Sequence, residues 1–294
     1  MHITHANLPV RLGLAMWSHN QWQQSLYGSG CKASDRLARY AEVFHTVEGN
    51  TTFYATPGIP TVKKWHEATG DNFRFTFKLP QAITHQNQLV HCDQLLADFF
   101  TTMAPLEGKV GLWKIQLPAQ FGPAALPALE KFLQRLPANY PVGVEVRHPA
   151  FFAKGEEERQ LNRLLVERGA NRIIMDSRPV FAAPPTTEAV IDAHQKKPKV
   201  PVHAIATADS PMIRFIGHPD DASNDAFFAN WLVRLPQWLR DGKQPYLFIH
   251  TPDNNHAPEL ATRLYRLLQQ KAADTNLPDV ELPKAEPDPQ IDLL

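Results

Sequence analysis

Three carboxylates, Glu48, Glu145 and Asp176, and three cations, Lys78, Arg147 and Arg214, stand at or near the ends of short apolar runs. His250 ends another run, and His85 and His148 follow two more within a few residues. Such a set suits acid–base chemistry on a small anion. Arg147 and Arg214 would grip it as planar forks and Lys78 as a point charge. Glu145 or Glu48 would act as general base, and His148 or His250 as acid. Asn50, Thr52, Tyr54, His85, Gln116 and Asp176 would add polar contacts to the substrate. The opposing possibility is structural. The three carboxylates could pair with the three cations in a closed network, because buried charges cost several kcal/mol each unless paired or facing water and ligand.

Several chemistries have no motif here. No G-x-G-x-x-G follows a strand and there is no Walker loop, so no dinucleotide or nucleoside triphosphate cofactor is expected. Neither a G-x-S-x-G elbow nor an H-E-x-x-H helix is present. A Schiff-base role for Lys78 is conceivable on a barrel strand, but neighbouring carboxylates are expected to keep it charged. Metal-assisted phosphoester cleavage, as in endonuclease-type barrels, is the alternative enzyme class. It requires a dense set of His, Asp and Glu ligands, and three cations among three carboxylates oppose a cluster of divalent ions. No metal is therefore expected. A non-catalytic ligand-binding barrel shares every feature of the first reading.

These residues need a scaffold that brings them together. Eight β-like runs lie near 10–16, 43–50, 73–79, 110–117, 141–147, 172–176, 211–216 and 245–250. Helical patterns separate them near 34–42, 60–69, 93–104, 124–136, 156–168, 188–196, 225–240 and 255–271. Strand then helix, eight times, predicts a single (β/α)8 TIM-type barrel over 1–276. A Pro-rich and acidic tail occupies 277–294. Ser34 or Asp35 and Asp225 are candidate helix caps, and Pro60 suits a first helical turn. The segment from Ser177 to Ser210 is too long for a simple crossover and reads as one helix plus an excursion, a candidate lid.

Side chains alternate across a strand, so each run divides into two faces. Val142, Val144 and Val146 suit the helix layer, which sends Glu145 and Arg147 inward. Phe73, Phe75 and Phe77 do the same for Lys78. Glu48 and Asn50 share one face. Gln116, Asp176, Arg214 and His250 are the remaining late inward candidates. Trp17, Phe53 and Tyr54 fit core or rim, and His45 and His91 fit surface or core.

Composition sets the outer limits. The 294 residues are 43% hydrophobic with a formal net charge of zero, which argues for a folded core and against a broad nucleic-acid-binding field. Cys31 and Cys92 form no C-x-x-C pair, consistent with reduced thiols. No signal-like N-terminus and no apolar span of membrane length is present, so a cytoplasmic protein with a small anionic ligand and no membrane partner is expected.

The motifs VEGNTTFYATP, Trp65, FRFTFKLPQAITH, LPAQFG and VEVRHPAFF resemble the YecE-like family, a TIM-barrel domain of unknown function. The resemblance runs from about Leu12 to Leu268. It implies the barrel and a polar pocket, and it supplies no reaction. Glu48, Asn50, Thr52, Phe53 and Tyr54 fall on its E-x-N-x-T-F-Y pattern, and Lys78, Pro80, Thr84 and His85 on its K-x-P…T-H pattern. Gln116 and Pro118 match the strand-four motif, and Glu145, Arg147 and His148 match E-x-R-H. Two places depart from the family. Arg214 is followed by Phe215, Ile216, Gly217 and His218 where many members carry Arg-x-His-Gly. His250 leads into Thr-Pro-Asp-Asn-Asn instead of an aromatic-Asn-Asn ending, which marks a subgroup.

Overall fold

A computed structural model describes residues 8–284. Its strands are β1 (Arg11–Leu14), β2 (Thr46–Gly49), β3 (Arg74–Lys78), β4 (Val110–Gln116), β5 (Val142–Glu145), β6 (Asn171–Asp176), β7 (Met212–Ile216) and β8 (Tyr246–His250). They are all parallel and close in sequence order, β8 pairing back onto β1. The expected barrel is therefore observed. Where the two chain termini lie falls outside the described residues.

The helices are α1 (Arg36–Val43), α2 (Ile59–Glu67), α3 (Asp93–Met103), α4 (Leu126–Arg135), α5 (Glu156–Glu167), α6 (Arg178–Ala182), α7 (Glu188–Lys196), α8 (Asn224–Phe228), α9 (Trp231–Arg240) and α10 (Ala257–Lys271). Their apolar stripes have the helical period. In α5 Leu161, Leu164 and Leu165 are buried, and in α10 Leu260, Ala261, Leu264, Tyr265 and Leu268. They cover the outward faces of the strands, where Phe75 and Phe77 stack at 5.3 Å and Trp65 lies 5.7 Å from Phe77. The single helix expected over 225–240 is two, α8 and α9. Pro60 sits in the first turn of α2 as expected. The expected caps differ. Asp35 precedes α1 without a capping hydrogen bond, and Asp225 lies inside α8, where it pairs with Arg263.

Inside the barrel, Leu112, Ile173, Met212, Tyr246 and Phe248 form a separate buried apolar cluster. Gly111 is needed beside it, because a Cβ there would come within 2.1 Å of the Tyr246 hydroxyl. This plug fills the lower lumen and leaves the C-terminal strand ends for polar side chains.

The 177–210 excursion packs Val180 of α6 and Ala193 of α7 against Met175 and Ile216, over the C-terminal strand ends. Ser177 Oγ donates to the Pro198 carbonyl at 2.8 Å and Thr207 Oγ1 to the Ala170 carbonyl at 2.7 Å. The tail continues the fold as far as it is described. Val280 is buried, and Gln269 Nε2 donates to the Pro278 carbonyl at 3.1 Å. The remainder of the tail, 285–294, lies outside the described residues. No described helix is long and apolar enough to cross a membrane.

Candidate functional site

Above the plug, six strands each place a polar side chain on the inner face. β2 supplies Glu48, β3 Lys78, β4 Lys114 with Gln116, β5 Glu145, β7 Arg214 and β8 His250, and all are buried. Arg214 is the hub. Its Nε and Nη2 donate to Glu48 at 2.6 and 3.1 Å, and its Nη1 donates to Glu145 Oε2 at 2.8 Å. Glu145 Oε1 also accepts from Gln116 Nε2 at 2.7 Å and from Arg147 Nη2 at 2.8 Å. Lys114 Nζ lies 2.9 Å from Glu48 Oε1, an ion contact without hydrogen-bond geometry. One guanidinium thus ties β7 to both β2 and β5 across the lumen.

The fields follow from this arrangement. Burial pushes the Glu145 carboxyl up, but Arg214, then Arg147, Lys78 and Lys114 outweigh it and hold the group at about 2. Glu48 is likewise held well below the carboxylate range by Arg214, Lys114 and His250, against burial. The lysines move the other way. Burial, then Lys114 and Arg214, bring Lys78 down to about 7, and burial, then Arg214, bring Lys197 to about 8. Burial drives His250 well below the usual imidazole value despite Glu48, so its ring is neutral near pH 7. That departs from the acid role expected of it, because the imidazolium is missing.

A cavity of about 480 Å³ opens over these groups. Glu48, Asn50, Lys78, Arg214, His250 and Lys197 form its polar wall, with Trp17 and Tyr54 among the residues at its mouth. Asn50 Nδ2 donates to the Ala15 carbonyl at 3.0 Å and to Glu48 Oε2 at 3.1 Å. Its Oδ1 is buried without a hydrogen-bond partner among the described residues, as is His250 Nε2, which lies 3.6 Å from Glu48 Oε2. Lys78 Nζ sits 4.6 Å above the centre of the Phe53 ring, and neither Lys78 nor Lys197 forms a salt bridge with a described carboxylate. Tyr54 is 74% exposed, which places it on the rim.

Other expected residues lie elsewhere. Asp176 shares a face of β6 with Arg172 and Ile174 and points to the helices. There it accepts from Arg178 Nη2 at 2.7 Å and Trp231 Nε1 at 2.8 Å, so it leaves the substrate set. His148 is not an acid in the cavity. Its Nδ1 accepts the Ala150 N–H at 3.2 Å, capping the turn after β5, and its Nε2 faces Gly122. Thr52 is buried and spends its hydroxyl on the Lys78 carbonyl at 2.7 Å, a brace between the β2 loop and β3. Gln116 and Arg147 stand behind Glu145 and orient it, outside the cavity wall. His85 is half-buried, hydrogen-bonded to Thr84 Oγ1 at 2.9 Å and packed on Phe53.

Two cations escaped the sequence reading. Lys114 shares the period-two face of Gln116, so the same face division applied to β4 finds it. Lys197 follows α7 in the excursion, where no periodicity points inward. With Asp176 outside and these two inside, the cluster holds, among the described residues, Lys78, Lys114, Arg147, Lys197 and Arg214 against Glu48 and Glu145.

The comparisons agree with this architecture. The family model described as "Protein of unknown function DUF72" matches residues 11–287. The UPF0759 protein YecE of Escherichia coli K12 is 52% identical over 260 residues, covering 88% of this chain and 93% of that protein. The YecE protein of Escherichia coli O157:H7 matches equally, at 52% over 260 residues. Among solved structures, a DUF72 family protein of Thermotoga maritima superposes with a TM-score of 0.66 at 22% identity, over 88% of this chain and 99% of that one. One from Enterococcus faecalis V583 gives 0.65 at 21% identity, over 95% and 100%. The chain belongs to the DUF72 family.

Proposed function

We propose that the cavity binds a small anion of the phosphate or sugar-phosphate type, and that the protein is a metal-independent enzyme acting on it. The observation that carries this reading is the surplus of cations among the described residues, with Lys78 and Lys197 facing the cavity and no described carboxylate paired to either. An anion supplies the missing partner and the acceptor oxygens for two desolvated ammonium groups. Glu145 is ionised at neutral pH, but both its oxygens are engaged by Arg214, Arg147 and Gln116 and it does not line the cavity, so it fits a clamp on Arg214 and not the base expected of it. The alternative metal-dependent phosphoesterase reading wants a ligand set, and no group of three or more His, Cys, Asp or Glu suited to a metal occurs among the described residues. A purely binding barrel would share the pocket and differ only in lacking turnover.

Calorimetry with sulfate tests the reading, because the charge of sulfate is constant over the relevant pH range. Affinity is expected to fall as pH rises from about 6 to about 9, because Lys78 and Lys197 lose their protons near 7 and 8. Binding should persist in protein stripped of metal. Absence of sulfate and phosphate binding, or a strict requirement for added zinc or manganese, would overturn it.

A further inference from the structure

The β3–β4 register pairs Lys78 directly with Lys114, so two lysines leave adjacent strands on the same inner face. Strands in a sheet are about 4.8 Å apart, which puts the two amines in one small volume. Their situations differ. Lys114 is fully buried and committed to Glu48 at 2.9 Å. Glu48 and Glu145 are both engaged by Arg214, and Glu145 also by Arg147 and Gln116. Lys78 is left with an aromatic wall on one side, cationic neighbours behind it, and the cavity in front. The expectation that nearby carboxylates would keep it charged therefore does not hold: those carboxylates are spent on other cations.

We propose that Lys78 is a nucleophilic amine that captures the carbonyl carbon of an anionic aldehyde or ketone as an imine, a reading that rests on the anion pocket above. An amine desolvated beside another cation is the arrangement that frees lysine for carbonyl chemistry. Lys197, across the cavity wall, holds the anionic end. The neutral Lys78 Nζ attacks the carbonyl carbon. A C–N bond forms, the carbonyl π pair moves to oxygen, and that oxygen takes a proton while nitrogen gives one up. The hydroxyl then leaves as water with one further proton, and the nitrogen lone pair completes the C=N bond of a protonated imine. The protons exchange with solvent at the mouth. The substrate class is then a small 2-keto acid or a phosphorylated aldehyde or ketone, for which the about 480 Å³ cavity leaves room.

The test is reductive trapping. The full chain is incubated separately with pyruvate and with dihydroxyacetone phosphate, reduced with borohydride, and mapped by peptide mass spectrometry. At pH 7 an ordinary lysine is neutral in about one molecule in 3,000. Lys78 is therefore expected to label roughly a hundredfold or more faster than the exposed Lys63. One adduct per chain on Lys78 with at least one probe, lost in Lys78→Arg, supports the proposal. Label spread evenly over surface lysines, a single adduct on Lys197, or an undiminished adduct in Lys78→Arg overturns it. Mapping of the wild-type chain decides the matter even if the variant folds poorly. Sulfate binding without any Lys78 adduct overturns the imine and leaves the anion pocket standing; loss of both removes both.

Discussion

Two clusters of buried charge lie on opposite faces of the same sheet. On the outer face, Arg172 of β6 donates to Glu158 Oε1 at 2.9 Å, to Asn162 Oδ1 at 2.6 Å and to the Phe151 carbonyl at 2.7 Å. Glu158 also meets His203 Nδ1 at 2.6 Å and the Lys154 N–H at 2.8 Å. None of Arg172, Glu158 and Asn162 is left with a buried unpartnered polar atom. In the inner cluster five cations confront two carboxylates, and Asn50 Oδ1, His250 Nε2 and Lys114 Nζ have no hydrogen-bond partner among the described residues. The outer cluster is closed and fastens α5 and the excursion to the barrel. The inner one is open, and its unmet demand is for negative charge. Both are buried and both are ion-paired, so burial and pairing alone do not identify a binding site; the imbalance does.

The hardest way to break this comparison is to remove one hub from each cluster. Arg214→Met removes the charge-assisted hydrogen bonds to Glu48 and Glu145, and Arg172→Met removes those to Glu158, Asn162 and the Phe151 carbonyl, each at an expected cost of about 3–5 kcal/mol in urea unfolding. Only Arg214→Met should also abolish sulfate binding in the molecules that remain folded. Equal loss of sulfate binding in folded Arg172→Met would erase the distinction.

Acid titration gives an effect of somewhat smaller size. Glu145 titrates near 2 in the folded chain and at an ordinary 4.5 when unfolded. Between those values the unfolded state binds more protons, so stability is complete above about pH 4.5 and is lost as pH falls toward 2. The expected loss from this group is on the order of 3 kcal/mol. Glu145→Gln should flatten that part of the stability–pH curve, and an unchanged slope would contradict the assigned field.

Lys78→Met sharpens the contrast with the smallest change and opposite signs. Removing an unpaired buried cation should stabilise the fold by about 1–2 kcal/mol while weakening sulfate binding. Because the folded value of Lys78 is about 7 against 10.5, the penalty it imposes is full below pH 7 and fades as pH rises to 10.5. The gain in Lys78→Met should fade over the same window. A variant destabilised at pH 6 would show that Lys78 serves the fold.

Much of this arrangement can be read from strand alternation. β3 and β5 each carry apolar residues on one face only, which assigns Lys78 and Glu145 inward; in the β2 run Phe44 shares the face of Glu48, so alternation alone assigns Glu48 less sharply. β6 defeats the method. Its run Ile173, Ile174, Met175 is apolar on both faces, and the true inner set, Ile173 and Met175, sends Asp176 outward. Lys114 was legible, since it is two residues from Gln116. Lys197 was not, because it reaches the cavity from an irregular segment whose path is set by long-range contacts such as Ser177 to Pro198. His148 stands in a family motif, yet its ring serves a turn, which spacing does not reveal.

The apolar plug beneath the site has a kinetic consequence. Leu112, Ile173, Met212, Tyr246 and Phe248 fill the lower lumen, so among the described residues the cavity opens away from the plug. Ligand, water and exchanging protons use the mouth between Trp17, Tyr54 and Lys197. Arrival and departure then share that lane, and a molecule seated at the bottom blocks the next until it leaves.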